Sequence, residues 1–399
     1  MIDKIEKLKQ IERNVNKKKF LIQFLPQFLE DFLNTYKGKT IDYNSKKLKK
    51  TYFIDIIHNL VYKSLIKKDF IFNLSSEILK SKYGKNYNFY IKWLLKKELL
   101  FIQSNYMVGK KCKTFRLNKR LIVNLKKYKN EDKFLLKKHK NNLLGNEIQK
   151  NNSNWIQPWI RTKLVEDLFS IKIDYDLAED ILFTLEKDSS FYKNKLSVEA
   201  INNNDIFYTF DDYGRFHSNF TILKNSIREK CLKIDNQKLI EFDIKNSQPT
   251  FLSILLKSNE SKIDKNELSY FLLLVKNAEF YDKIKSLFNL KTKREAKKVV
   301  YKIFFGKNKS KNEIKFKKEF PSIYQFILDY KKEKDDYKAL AYELQRSESN
   351  FIFNDICKTL YTRYPDIKLL TVHDSISFPE KYKNIVKEIW DNKINSIYE

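Results

Sequence analysis

Cysteine is nearly absent from this chain of 399 residues, and Cys112, Cys231 and Cys357 are too few and too scattered for a disulfide framework or a four-cysteine zinc site. That usage fits a reducing compartment. His58 and His139, the latter inside KKHK, have no cysteine or histidine at metal-ligand spacing, so zinc is not expected. No apolar run approaches the roughly 18 residues that suggest a membrane span, and MIDKIEKLKQ lacks the apolar segment and cleavage site of a secretory signal. The expectation is a protein of the cytoplasm or another reducing intracellular compartment, neither secreted nor membrane-spanning. Glycine and proline are also scarce, six of each, so Gly38, Gly84, Gly109, Gly145, Gly214 and Gly306 each mark a place to examine. No repeat of fixed period is present.

Acidic residues are the remaining shortage: 50 Asp+Glu face 79 Lys+Arg, a net charge of +29. Such a balance suits a polyanionic partner. It does not describe a disordered tail, because 42% of residues are hydrophobic and 31 Phe and 24 Tyr can fill large cores. The excess is uneven. Residues 1–150 hold 36 Lys+Arg and 13 Asp+Glu, whereas residues 151–399 hold 43 and 37, a composition ordinary for a folded enzyme domain.

In the basic half, residues 17–36 (KKKFLIQFLPQFLEDFLNTY) read as helical apart from Pro26, and residues 124–151 as a charged helix or linker. Between them, IDIIHNLVYKSL is an amphipathic helix, and LSSEILKSKYG a second one with Ser75 or Ser76 as N-cap and Gly84 as stop. NYNFYIKWLLKKELL is a third, and FIQSNYMVGKKCKTFRLN reads as a two-stranded ribbon turning at Gly109. This order resembles a winged helix-turn-helix. The resemblance implies a DNA-binding module whose third helix enters the major groove, led by Lys85, Asn86, Asn88 and Lys92, while a wing carrying Lys110, Lys111, Lys113 and Arg116 meets phosphate. The competing reading is a small basic α+β domain with a solvated face.

Four segments of the second half carry the chemistry: DDYGRFHSNFTIL (211–223), LIEFDIKNSQPTFLSILL (239–256), KTKREAKKVVYKIFFGK (291–307) and LLTVHDSISF (369–378). LIEFDI reads as a strand ending in Asp243, and LLTVHDSISF as two strands joined at His373-Asp374. Aspartates on adjacent strands can hold a pair of Mg²⁺ ions that align an attacking hydroxyl and a departing pyrophosphate. In the third segment Lys293, Lys297 and Tyr301 recur every fourth residue, with Arg294 beside them and Phe304-Phe305 after. On a helix, capped by Thr292 and stopped at Gly306, they sweep along one broad side that offers ammonium groups to a triphosphate and rings to bases.

Together these segments resemble the right-hand polymerases of the family A DNA polymerase and single-subunit, phage-type RNA polymerase superfamily. Asp243 falls where the aspartate of motif A stands, His373-Asp374 is similar to motif C, and Lys293, Lys297, Tyr301 and Phe305-Gly306 are similar to motif B of the fingers helix. Gly214-Arg215, then Asn219 and Leu223, resembles the stretch before motif A, whose arginine contacts nucleic acid in relatives; Gln345 in LQRSESN matches a helix that touches the primer–template junction.

The resemblance spans about residues 205–385 and implies an α+β fold: a right-hand polymerase with an antiparallel palm sheet and helical fingers and thumb, preceded by a mainly helical, winged-helix-like domain. The expected divisions are residues 1–125 for nucleic-acid binding, 126–150 as charged linker or helix, 151–205 as thumb, and 206–399 as palm and fingers. It implies two Mg²⁺ ions on Asp243 and Asp374, with Lys297 and Lys293 on the triphosphate. Arg294, Tyr301, Phe305 and Gln248 would bind the nucleotide, and Arg215, His373 and Gln345 primer and template. Partners would be DNA, RNA in the alternative, and nucleoside triphosphates, with no membrane.

Departures bear on sugar choice. The family's DNA enzymes carry a glutamate in motif A as a gate against the ribose 2′-hydroxyl; here the fifth residue after Asp243 is Gln248, Ser247-Gln248 sit two positions late, and Phe305 lacks the hydroxyl of the usual tyrosine. The stretch from Gly214 to Leu223 favours DNA synthesis, whereas His-Asp-Ser points to RNA synthesis or priming. Residues 1–150 show no acidic spacing suited to a proofreading exonuclease. Bland alternatives exist for each: Asp243 as a helix cap, Lys297 on a solvated face, His373 as a turn residue, and a non-catalytic replication initiator for the whole.

Overall fold

The computed structural model describes residues 11–67, 70–105, 113–149, 156–186, 189–307 and 312–398. It is α+β, mainly helical with several small antiparallel sheets. Two compact units divide the chain, and neither is continuous. The first comprises residues 1–149, 169–208 and 218–233, and the second 150–168, 209–217 and 234–399. The divisions expected near 125, 150 and 205 follow the linear order of the chain; the units instead interleave.

In the first unit, residues 21–26 form a strand rather than the expected helix. Strand β1 (Leu21–Pro26) has all six residues buried and runs antiparallel to Leu125–Asn130, from Leu21 opposite Asn130 to Pro26 opposite Leu125. Proline at the end of the pairing costs no interior ladder bond, whereas inside a helix it would remove one. The helix α1 begins only at Gln27 and runs to Asn34. The β2 strand (Thr40–Tyr43) and β3 (Lys46–Lys49) form a hairpin leading into α2 (Lys50–Lys67).

Next come β4 (Ile71–Asn73), α3 (Ser76–Tyr83), α4 (Tyr87–Lys96), β5 (Leu100–Ser104) and β6 (Thr114–Leu117). The Ser75 hydroxyl accepts from Ile78 N at 3.3 Å and Gly84 ends α3 at φ 80°, so the predicted cap and stop both form. The three strands lie in the order β4-β6-β5, so β6 pairs with an extra strand, β4, beside the expected ribbon partner. Phe53, Ile57, Leu60, Trp93, Leu94 and Phe115 fill the core beneath. The expected turn at Gly109, with Lys110 and Lys111, lies outside the described residues. β7 (Leu125–Asn130) and α5 (Lys133–Gln149) follow, so a strand occupies the start of the stretch expected as helix or linker. A later helix, α6 (Ser189–Asn202), belongs to the same unit.

The second unit is built on a short antiparallel sheet. β8 (Gln237–Asp243) pairs with β10 (Ser375–Pro379), which also pairs with β9 (Leu370–Val372). Around it stand α7 (Ser247–Lys257), α8 (Lys293–Phe305) and α9 (Ala339–Asn350), the last continuing through a π-helical segment, Phe351–Cys357, into Lys358–Arg363. Thr292 and Glu295 close a capping box on α8, with Glu295 N 3.2 Å from the threonine hydroxyl, and Gly306 follows its last turn. Asp167, from helix Pro158–Leu168, is 1% exposed and accepts from Lys163 Nζ at 2.6 Å, Tyr361 OH at 2.6 Å and Leu369 N at 2.8 Å. That network ties the helix to Lys358–Arg363 and to the residue that leads into β9, all within the unit.

Candidate functional site

The register of two strands sets the site. Asp243, exposed at the last position of β8, has its Cα opposite Ser375, the residue after Asp374, and Ile244 N donates to Asp374 O at 3.1 Å. The two aspartates therefore stand at adjoining strand ends. Between β9 and β10 the turn is two residues long, and His373 takes φ 52° in the left-handed region. Its ring centroid lies 5.7 Å from that of His217, whose Nε2 is 2.9 Å from Asp211 Oδ2.

Behind the aspartates lies a buried carboxylate that the sequence reading passes over. Glu348 on α9 is 1% exposed. Its Oε1 accepts from Arg215 Nε at 3.0 Å and Nη2 at 2.7 Å, and its Oε2 from Gln248 Nε2 at 2.8 Å and Ser247 Oγ at 3.3 Å. Burial pushes its carboxyl up to about 7, with the charge of Asp374 adding to the rise and Arg215 opposing it. Burial also raises the Asp374 carboxyl, against the Ser247 hydroxyl and the charges of Arg215 and Lys297. Gln345, one turn before Glu348, is half-buried. Leu344, Glu348 and Ile352 are spaced by four, so a carboxylate on an apolar stripe was the legible signal.

From α8, one cation and one ring enter this electrostatic neighbourhood. Lys297 is the α8 cation whose charge reaches Asp374, and its ammonium sits 5.4 Å from the centre of the Tyr281 ring. The Tyr301 phenol is pushed up first by burial and then by Asp374 and Glu348, while 42% of the residue stays exposed. Its ring is 5.4 Å from that of Phe305, and Phe304 is wholly buried in the core. Lys293 pairs instead with Asp282 at 2.6 Å, and Arg294 is exposed near the start of the helix. The structure thus gathers Asp243, Asp374, Arg215, Gln248, Lys297, Tyr301 and His373, and leaves Lys293 with its own partner.

In the first unit Lys85 and Lys92 are exposed, Lys92 with its ammonium 5.8 Å from the Phe89 ring. Lys113 lies 5.5 Å from the Phe115 ring, and exposed Arg116 5.6 Å from that of Phe101. Cation and aromatic pairs of this kind keep charge at the surface on short tethers.

Asp243 and Asp374, at adjoining strand ends, carry hard carboxylate oxygens, the donor type Mg²⁺ takes when substrate phosphates and water complete its shell. Glu348 is not spare, since both oxygens are engaged. Their donor chemistry suits magnesium, and among the described residues no cluster of three or more such groups forms a closed protein cage. No helix among them is long and apolar enough to cross a membrane. No known protein family and no curated protein matches the chain.

Proposed function

We propose that the protein is a template-directed nucleic acid polymerase, with DNA synthesis as the first reading, in which the second unit is a right-hand catalytic domain and the first docks nucleic acid through a winged-helix-like face. One observation carries this: segments around residues 211–217, 243–248, 281–305, 348 and 373–374 converge on the adjoining Asp243 and Asp374. In this reading β8, β9 and β10 are the palm sheet and α8 the fingers helix. The order α2, β4, α3, α4, β5, β6 with sheet order β4-β6-β5 supports the docking role.

Asp243 and Asp374 would hold two Mg²⁺ ions. When bound, these supply positive charge to the triphosphate and acidify the primer hydroxyl. The chain's own residues do the rest. Lys297 places an ammonium at the phosphates and gives a proton to the departing pyrophosphate. Tyr301 and Phe305 stack at the nascent pair, with Lys293 and Arg294 at the outer end of the helix. The Arg215–Glu348–Gln248 network holds these groups in register, and Gln248, fixed by Glu348, stands near the position where sugar choice is made. Arg215, His373 and Gln345 face primer and template.

The test is extension of a primed template by the full chain with Mg²⁺ and labelled dNTPs or NTPs. Template-dependent addition is expected, falling about a hundredfold or more in Asp243→Ala and Asp374→Ala. Extension surviving either substitution overturns the metal assignment. No incorporation of any nucleotide overturns the enzyme and favours a binding-only initiator; preference for NTPs assigns RNA synthesis.

A further inference from the structure

The first unit contains a half-open cavity of about 800 Å³, lined by none of the residues just discussed. Small-molecule sites occupy roughly 300–1,000 Å³. One face of α2 supplies Asp55, His58, Asn59 and Tyr62, spaced as a single helical stripe, where a core-packed helix would ordinarily present apolar side chains. β1, α5 and α6 supply an apolar wall, Leu21, Ile22, Leu135, Leu196 and Ala200.

Its buried carboxylate, Asp55, and its half-buried one, Asp205, are already in use. Asp55 accepts from Gln23 Nε2 and Tyr83 OH, each at 2.6 Å, and pairs with Lys82 at 2.6 Å. Asp205 pairs with Lys18 and accepts from Ile22 N at 3.1 Å. The donors are less committed. His58 takes a hydrogen bond from Phe24 N on Nδ1 at 3.0 Å, which puts the ring proton on Nε2, and burial lowers the imidazole to about 4, so it is neutral near pH 7. Lys138 lies 4.8 Å from the Phe134 ring and makes no ion pair among the described residues. Glu77, exposed at the start of α3, offers an acceptor of the kind sugar hydroxyls take. The rings of His58 and Tyr62 stack at 6.3 Å and 27°.

A planar heteroaromatic ring, a hydroxylated sugar and a single phosphate would match these elements: ring pair and apolar wall, Glu77, and Lys138. We propose that the cavity binds a nucleoside monophosphate, with the base against His58 and Tyr62 and the phosphate at Lys138. The site owes nothing to Asp243 or Asp374 and needs no metal.

The full chain, in EDTA, is titrated with AMP, GMP, CMP and UMP by calorimetry and saturation-transfer NMR, with adenosine and ribose 5-phosphate as fragments. At least one monophosphate is expected to bind with Kd of about 1 mM or tighter, each fragment about tenfold more weakly. Lys138→Glu and His58→Leu should each weaken binding about tenfold, and Asp374→Ala should leave it unchanged. Lys138 is only half-buried, so Lys138→Glu keeps the test valid should His58→Leu fold poorly. No monophosphate binding at about 1 mM, binding unmoved by Lys138→Glu, or loss in Asp374→Ala would each overturn the assignment.

Discussion

Arg215 and Glu348 stand 133 positions apart in the chain, and two guanidinium hydrogen bonds, 3.0 and 2.7 Å long, converge on one carboxylate oxygen. The glutamate side chain is 2% exposed and the arginine side chain 20%. Removing one partner of such a pair strands a buried charge, whereas replacing both with apolar groups is far milder. Arg215→Ala should therefore lower unfolding free energy in urea by about 3 kcal/mol, and Arg215→Met with Glu348→Leu should recover more than half of that. Single-substitution losses under about 1 kcal/mol would show that solvent already screens the pair.

The Asp167 carboxyl gives a pH signature. Burial raises it from 3.8 to about 6, despite the opposing Lys163 charge and its hydrogen bonds. Its folded pKa lies above its unfolded one, so the folded state holds the proton more tightly. The contribution is whole below pH 3.8 and is lost as pH rises through about 6. The loss is about 3 kcal/mol at 1.36 kcal/mol per pH unit. Urea unfolding across this window should show the difference between wild type and Asp167→Asn shrink by about that amount, and a constant difference would refute it.

Gly306 is needed for space rather than for a left-handed backbone. A Cβ there would meet Lys302 O at 2.3 Å, against the last turn of α8, where Gly306 N bonds that same oxygen at 2.9 Å. Lys331 Nζ also donates to Gly306 O at 2.9 Å, which restricts how far the segment can retreat. Gly306→Ala should cost about 1–3 kcal/mol by thermal unfolding. A neutral result would mean that the helix end shifts freely.

For nucleic acid, the expectation concerns salt. Lys85→Glu, Lys92→Glu and Arg116→Glu combined in the full chain should weaken duplex binding at least about tenfold and flatten the log–log salt slope by about 2–3. Lys265→Glu with Lys276→Glu, also exposed, serves as the control and should change the slope little. Equal effects would place the contact elsewhere.

Where local signals ran strongest, the sequence anticipated the structure closely. The strand ending at Asp243, the hairpin at His373-Asp374, the cap at Thr292 and the stops at Gly84 and Gly306 depend on neighbours in the chain. β1 was hidden because a short apolar run suits a buried strand as well as a buried helix, and its partner, Leu125–Asn130, lies a hundred residues on in a lysine-rich stretch. Glu348 escaped for a related reason: its partners Arg215, Ser247 and Gln248 are brought to it only by tertiary folding. The cavity at His58 was invisible too, since one helical stripe shows its purpose only when the opposite walls are present.

The chain passes between its two units at 149/150, 168/169, 208/209, 217/218 and 233/234. During synthesis, the first unit cannot be completed when its opening 149 residues emerge, because Asp205, which anchors Ile22 N, and the helix Ser189–Asn202 come later. By then most of the second unit has still to be made. Neither unit can be released by a single cut, and truncation near residue 150 would yield an incomplete body rather than a free module.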